Sequence, residues 1–239
     1  MNRWIKNIQS KVAAAVMPPI CVLCGEAGVG SSTGFKDLCL ACRKSLPWAG
    51  SQCARCALPL SATAVEALCG RCQTQPPAFE SCLSPFIYAA PLDHLLQRFK
   101  FNGRLEQARL LGELMAEWLG SVVETPPDVL IPVPLHAARL RERGFNQAVE
   151  LARPIARRFG MPLDVCSVRR NLATSPQSDL SRKQRLKNIR GAFEVVQPVN
   201  GHVVIIDDVM TTGSTADELA RTLLRAGAER VEVWVCARA

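Results

Sequence analysis

Eight of the eleven cysteines in this 239-residue chain fall into four Cys-x-x-Cys pairs near its beginning: CVLC (Cys21, Cys24), CLAC (Cys39, Cys42), CARC (Cys53, Cys56) and CGRC (Cys69, Cys72). Two thiolates at this spacing in a tight turn point at one ion, and two such turns close a tetrahedral site. Eight thiolates therefore suit two zinc ions. Sequential pairing places Cys21, Cys24, Cys39 and Cys42 on one ion and Cys53, Cys56, Cys69 and Cys72 on the other. A cross-brace that interleaves the pairs would use the same residues, and an iron–sulfur cluster would take the same four thiolates. A site closed by four thiolates has no open position, so these zincs are structural. The segment carries little apolar material, and its metal-binding energy is its folding energy. A disulfide framework belongs to small secreted chains, whereas this chain is long and its early apolar run, VAAAVM, is too short for a secretory signal. The singletons Cys82, Cys166 and Cys236 are expected to pack as small buried hydrophobes.

The flanks of the cysteine segment set the domain boundaries. Residues 1–17 read as a short amphipathic helix, with Trp4, Ile5, Ile8 and Val12 at helical spacing. A double zinc ribbon is expected over 18–75. QTQPPAF, residues 73–79, reads as an extended proline-containing linker, and a second domain follows over 80–239. No apolar run approaches the roughly 18–20 residues of a membrane helix, so no integral membrane association is expected. The net charge of +8 favours polyanionic partners, although solubility alone accounts for a charge of that size.

From about residue 84 strand and helix patterns alternate. PFIYAA, DVLIPVP, HVVIID and RVEVWVCA read as strands, with LDVCSV and AFEVV as short ones. LDHLLQRFKF and RLEQARLLGELMAEWL read as helices, the second with Leu105, Ala108, Leu111, Met115, Trp118 and Leu119 on one face. FNQAVELARPIARRF is helical, started or bent at Pro154, and TADELARTLLRAG is a helix with Gly227 as its C-cap. Alternation of this kind predicts an α/β fold, a mostly parallel sheet with helices on both faces. Ligands in such folds sit beyond the carboxyl ends of the strands.

One of those ends carries unusual chemistry. VVIIDDVMTTGST, residues 203–215, passes from an apolar strand into Asp207 and Asp208 and then into a hydroxyl-rich turn. Adjacent acids repel each other unless something accepts their charge. Gly213 permits a tight turn, and the following helix aims free N–H groups and its positive end back at the loop. Thr211, Thr212, Ser214 and Thr215 add hydroxyls. Together these groups would hold a phosphate monoester beside a sugar whose hydroxyls bond the acids. The stretch has neither the Gly-Lys-Ser/Thr ending of a Walker loop nor the glycines of a dinucleotide fingerprint. An ordinary strand–turn–helix junction with solvent-facing acids is the plainer alternative.

Residues 203–215 resemble the PRPP-binding signature of type I phosphoribosyltransferases. The whole order is more specific: four Cys-x-x-Cys pairs, LLQRFKFNG, IPVPLHAARLRERGFNQA, QSDLSRKQRLKNIRGAF and VVIIDDVMTTGST. It resembles the ComF/GntX family, in which a zinc ribbon precedes a phosphoribosyltransferase-like domain, over nearly the entire chain. The resemblance implies a sheet of the type I phosphoribosyltransferase kind and PRPP bound with Mg2+. Asp207 and Asp208 would hold the ribose hydroxyls, and Thr211, Thr212, Gly213, Ser214 and Thr215 the 5′-phosphate. It also implies a cytoplasmic protein linked to natural competence or to the use of DNA as a nutrient. Single-stranded DNA and a DNA-uptake protein would then be further partners.

Two basic segments complete the candidate site. In PVPLHAARLRERGFNQ the resemblance implies that the cations Arg139, Arg141 and Arg143 meet pyrophosphate, with Arg143 singled out as catalytic; a solvated basic face on a helix start is the plainer alternative. Gly144 there is expected to take an unusual backbone angle, while Asn146 and Gln147 can bond polar groups. Lys100, in FKFNG, resembles a family position near the site. Residues 169–190 carry seven basic residues and one acid, suiting an active-site flap, a track for nucleic-acid phosphates or a solvated face. Gln177, Leu180, Arg185 and Asn188 match the family pattern in that stretch, Arg185 as a second catalytic candidate. His94, His136 and His202 form no triad and are expected to be structural. Three function classes fit: a phosphoribosyltransferase displacing pyrophosphate from C1 of PRPP, a single-stranded nucleic-acid-binding module, and a protein adaptor. An adaptor has no use for the paired acids and hydroxyl turn.

Overall fold

The computed structural model describes residues 20–26, 37–61, 67–172 and 189–239, with the backbone alone at 101–102. The expected helix over 1–17 lies outside them. Contacts divide the chain into two units, Met1–Leu46 and Pro47–Ala239.

In the first unit Gly25 N–H donates to the Cys21 carbonyl (2.9 Å), closing a turn with Gly25 at φ +76. Helix α1 (Leu40–Lys44) opens at Cys39, whose sulfur accepts from Cys42 N–H at 3.3 Å. The second unit begins with the same device. Ala57 N–H donates to the Cys53 carbonyl (2.8 Å), and Ala57 adopts φ +54, a left-handed angle that costs an L-residue roughly 1–2 kcal/mol. Helix α2 (Gly70–Thr74) follows Cys69. The connection after α2 is irregular, as its prolines imply, but it is packed down rather than free. Pro77 and Phe79 are buried, and Ala78 N–H donates to the Asp217 carboxylate (2.7 Å).

The sheet contains β1 (Cys82–Leu83), β2 (Phe86–Ile87), β3 (Val129–Pro132), β6 (Gly201–Met210) and β7 (Ala228–Arg238). Its order is β1-β7-β6-β3, with β2 also alongside β7, and every pairing is parallel. The central strands β6 and β7 are apolar without alternation because both of their faces are covered. On one face Val203, Ile205, Val231, Val233 and Val235 share a core with Leu219 and Leu223 of α7 (Ser214–Arg225) and with Cys53, Cys56, Cys69 and Cys72. On the opposite parity, Trp234 meets Phe159 of α6 (Gln147–Phe159), ring centroids 5.9 Å apart. Helix α4 (Leu105–Val122) packs on α6 at Gly112, where an added Cβ would lie 2.8 Å from the Leu151 carbonyl oxygen and 2.9 Å from Pro154 Cγ. Pro154 thus sits inside α6, which begins seven residues earlier at Gln147, and faces Gly112 of α4. No helix among the described residues is long and apolar enough to cross a membrane.

Several elements differ from their sequence expectation for local reasons. PFIYAA shrinks to β2, and just beyond it Tyr88 N–H donates to the Arg238 carbonyl (2.8 Å). LDVCSV is not a strand before its last residue, Val168, which opens the next one. Leu163 makes an isolated parallel bridge with Leu130, and then the Asp164 carboxylate accepts from Cys166 N–H and Ser167 N–H, both at 2.9 Å, turning the chain outward. Cys166 is exposed in consequence, whereas Cys82 and Cys236 are buried as expected. The chain re-enters as β4 (Val168–Arg170), which pairs antiparallel with β5 (Phe193–Val195) in a separate ribbon. Leu105, the first residue of α4, is exposed rather than on the buried face. Helix α7 ends on Ala226, and Gly227, one residue later, takes φ +116.

Candidate functional site

Strand β6 continues to Met210, so Asp207 and Asp208 lie within its last third rather than after it, with Asp207 abreast of Val235. Both carboxylates fold back on their own chain: Asp208 N–H donates to Asp207 Oδ1 (2.9 Å) and Val209 N–H to Asp208 Oδ1 (2.8 Å). They are not equivalent. Burial, reinforced by the Asp208 charge, pushes the Asp207 carboxyl up to about 7, and Lys100 opposes that rise. Asp208 pairs with Lys100, Oδ2 to Nζ 3.4 Å. Lys100 arrives there because Phe99, its neighbour on α3 (Leu92–Asn102), stacks on Phe145 with centroids 5.5 Å apart. Phe145 lies in RGFNQ, so one aromatic contact brings the Lys100 helix and the basic loop to the same strand end.

The turn after β6 has Gly213 at φ +75, an angle glycine takes without strain. The Thr212 and Ser214 hydroxyls hydrogen-bond each other at 2.8 Å. Helix α7 begins at Ser214, and its ladder starts with Asp217 N–H donating to the Gly213 carbonyl (2.9 Å). The amides before Asp217 therefore lack intrahelical partners, the general condition of a helix start, and the positive end of α7 faces the turn. Thr211 is exposed, Thr212, Gly213 and Thr215 half-buried, and Ser214 buried.

Helix α5 (Ala137–Arg143) carries the basic loop. The His136 ring caps it, Nδ1 accepting from Ala138 N–H at 3.3 Å, and Gly144 ends it at φ +78. Burial and the nearby Arg139 both press the Arg143 guanidinium toward its neutral form, while Asp208 supports its charge. Asn146 is occupied structurally: its Nδ2 donates to the Val133 carbonyl (3.0 Å) and its Oδ1 accepts from Ala148 N–H (3.0 Å) as the N-cap of α6. Gln147 is buried, and its Nε2 has no hydrogen-bond partner among the described residues. Arg185, with Gln177, Leu180 and Asn188, lies outside the described residues. His94 is exposed beside Asp93, and His202 lies near Glu232 toward the opposite end of β6.

One cation of this site was counted in the sequence but not singled out. Arg170, at the end of β4, stands over the Phe193 ring with its guanidinium 5.6 Å from the centroid. Burial and Arg139 press it toward neutrality, and Asp207 supports its charge. Asp207 and Asp208 are thus within electrostatic reach of Lys100, Arg143 and Arg170, with Arg139 beside the two arginines.

The cysteines gather into two groups, Cys21, Cys24, Cys39, Cys42 and Cys53, Cys56, Cys69, Cys72. Within each, the ligand sulfurs lie no more than 4.8 Å apart. The pairing is sequential, not cross-braced. Backbone amides point into both groups: Cys39 N–H toward Cys21 Sγ (3.5 Å) and Cys69 N–H toward Cys53 Sγ (3.3 Å). Burial opposes ionisation of Cys21, but amide hydrogen bonds from Cys24, Cys39 and Leu23 outweigh it and bring the thiol down to about 6. At Cys53 burial is likewise outweighed, by amides of Cys69, Cys56 and Arg55, giving about 7. Burial and neighbouring sulfurs push Cys42 and Cys72 the other way. Four crowded thiols that lose the first proton readily and the last reluctantly need a central cation to ionise together. Both groups fit structural zinc.

Comparison with known proteins bears on the same two regions. Residues 12–73 match the double zinc ribbon domain and residues 146–239 the phosphoribosyl transferase domain. The chain is 37% identical over 227 residues to the DNA utilization protein YhgH of Escherichia coli (strain K12), spanning 93% of this chain and 98% of that protein. The chain belongs to the ComF/GntX family. Competence protein F of Haemophilus influenzae is 34% identical over 213 residues, 84% of this chain and 90% of that protein. Competence protein ComFC of Bacillus subtilis is 31% identical over 203 residues, 80% of each chain. In this ComF/GntX protein the order read from the sequence, zinc ribbons before a phosphoribosyltransferase-type sheet, is the order of the fold.

Proposed function

We propose that the protein binds PRPP with Mg2+ at the carboxyl end of β6 and serves DNA utilisation or uptake in the cytoplasm; its relatives are named for DNA utilization and for competence. The observation that carries this is the meeting, at one strand end, of two adjacent carboxylates, a hydroxyl-bearing glycine turn at a helix start and several cations. Asp207 and Asp208 accept hydrogen bonds from the ribose diol. Thr211, Thr212, Gly213, Ser214 and Thr215 hold the 5′-phosphate with amides, hydroxyls and the positive end of α7. Lys100, Arg139 and Arg143 face the pyrophosphate, and Arg143 catalyses by stabilising its departing charge. Arg185 takes the second catalytic role that the family resemblance implies. Mg2+ would neutralise the leaving pyrophosphate. A nucleophilic acceptor bonds to C1 as the pyrophosphate leaves with the electron pair.

The second function class is a single-stranded DNA-binding module without transferase activity, in contact with a DNA-uptake protein. The net charge of +8 and the naming of relatives for competence favour it. The strand-end site itself suits DNA less well, because deoxyribose lacks the 2′-hydroxyl that a pair of carboxylates would bind.

The deciding experiment is calorimetric titration of the zinc-loaded protein with PRPP and Mg2+, beside the Asp207→Asn/Asp208→Asn variant. Binding that the double variant loses supports the PRPP site. A folded wild-type protein that binds no PRPP, yet binds single-stranded DNA with strong salt dependence, would put the module in its place.

A further inference from the structure

The turn expected to hold the phosphate is fastened from behind by two arginines. Arg238, buried at the end of β7, donates from Nη1 to the Met210 carbonyl (2.9 Å), to the Thr211 carbonyl (2.6 Å) and to the Ala239 carbonyl. Its Nε donates to the carbonyl of Cys56 (2.9 Å), a residue of the second cysteine group. Arg71, half-buried between Cys69 and Cys72, donates from Nη1 to the Thr212 carbonyl (2.6 Å). Three successive carbonyls, 210, 211 and 212, are therefore drawn toward the second cysteine group.

That has a stereochemical consequence. In a planar trans peptide the carbonyl and the next N–H point in opposite directions. Drawing the carbonyls of 210–212 to one side aims the N–H groups of Thr211, Thr212 and Gly213 to the other, as an anion-binding concavity requires. The same fastening extends into α7, whose Asp217 accepts from Ala78 N–H, and Arg55 of the CARC turn donates to the Pro77 carbonyl at 3.2 Å. Charge acts in the same sense. Four thiolates around one Zn2+ carry a net charge of about −2, which suits arginines held against the cluster.

We infer that Arg71 and Arg238 are positioning residues that make the second cysteine cluster a working part of the phosphate turn, so that the turn holds a phosphate monoester only while that cluster keeps its metal. The inference rests on the PRPP site proposed above, and its test separates the two.

The test uses the full-length, zinc-loaded protein and Arg71→Ala, with Arg71→Lys as the conservative control. Zinc content, hydrogen exchange of the amides of 211–216 and affinity for ribose 5-phosphate are measured on each. Arg71→Ala should keep both zincs, exchange these amides faster and bind ribose 5-phosphate about tenfold or more weakly, the change expected from losing one hydrogen bond of a charged donor. Arg71→Lys should recover part of both effects. A folded Arg71→Ala with wild-type exchange at 211–216 and wild-type affinity overturns the inference. If the wild-type protein binds neither ribose 5-phosphate nor PRPP, the proposed site fails, and the exchange comparison still decides the role of Arg71. Should Arg71→Ala not fold, the Cys24→Ser variant, which leaves the second zinc site intact, is titrated with chelator. Protection at 211–216 that outlasts release of the second zinc refutes the coupling; loss of protection there in step with release, ahead of the amides of β3, upholds it.

Discussion

Replacing Asp207 by Asn should abolish PRPP binding and yet stabilise the unliganded protein at neutral and alkaline pH. Folding raises the Asp207 carboxyl from 3.8 to about 7. A rise of that size corresponds to about 4 kcal/mol of preference for the neutral form, reduced to about 2 kcal/mol once partial solvent access at the strand end is allowed for. The sign follows from linkage. Below pH 4 the group is neutral in both folded and unfolded chains and costs nothing. Between pH 4 and 7 the unfolded chain ionises first, so the folded state falls behind progressively, and above pH 7 the deficit is complete. The Asp207→Asn variant, with an amide that does not ionise, would carry no such deficit. A gain of about 2 kcal/mol is worth roughly 4–8 °C in melting temperature for a domain of this size. Scanning calorimetry of both proteins should show that gain at pH 8 and about half of it at pH 5.5, and the variant should bind no PRPP at either pH. A variant that melts at or below the wild-type temperature at pH 8, or whose gain is the same at both pH values, refutes the assignment of strain to this carboxylate.

Lys100→Met removes the partner of Asp208, but the Lys100 side chain is 38% exposed. Its loss should change stability by less than about 1 kcal/mol while weakening PRPP binding about tenfold, readable by one thermal melt and one titration. Cys24→Ser and Cys69→Ser should each lower bound zinc from two ions per chain to one, measured with a chromophoric zinc indicator. The Cys69 variant should in addition lose cooperative near-ultraviolet unfolding of the sheet, because Cys53, Cys56, Cys69 and Cys72 are part of its core.

What the sequence disclosed depended on whether the chemistry was local. The Cys-x-x-Cys turns, the left-handed Gly144 and Gly213, and the acids followed by hydroxyls are each written within a few residues; the cysteines gather and the two glycines turn as expected, whereas the acids lie inside β6 rather than after it. Lys100 was reached only through family resemblance, since its meeting with Asp208 is arranged by the Phe99–Phe145 stack, which no window of sequence contains. Arg170 was lost among seven basic residues in 169–190, because charge density does not show which cation turns inward. Arg238 gave no signal. It follows a run of apolar strand residues and looks like the polar end of a strand, yet it is buried and donates to four carbonyls, two of which, Met210 and Thr211, belong to the turn proposed for the phosphate. Cys166 failed for the opposite reason: Asp164, two residues before it, takes its amide and turns an apolar-looking segment out to solvent.

The division of labour between the two acids follows from the same geometry. A carboxylate paired with a close lysine and one strained by burial cannot respond alike to a ligand. Asp208 already has a cation, so a ligand must displace or share Lys100 to reach it. Asp207 has no ion-pair partner at comparable distance among the described residues, and its charge is supported by the Asp208 N–H and, at longer range, by Lys100 and Arg170. A ribose diol, donating two hydrogen bonds and accompanied by Mg2+, would relieve the strain at Asp207 and release Lys100 toward the pyrophosphate of the proposed ligand. Each acid therefore gains most from a ligand that brings hydroxyls, a cation and a polyanionic tail together, and a sugar lacking the 2′-hydroxyl brings too few donors. Affinity at this strand end should accordingly fall in the order PRPP with Mg2+, ribose 5-phosphate, deoxyribose 5-phosphate. Competition titrations that place the deoxy sugar level with ribose 5-phosphate would remove the diol from the account of why two acids stand here.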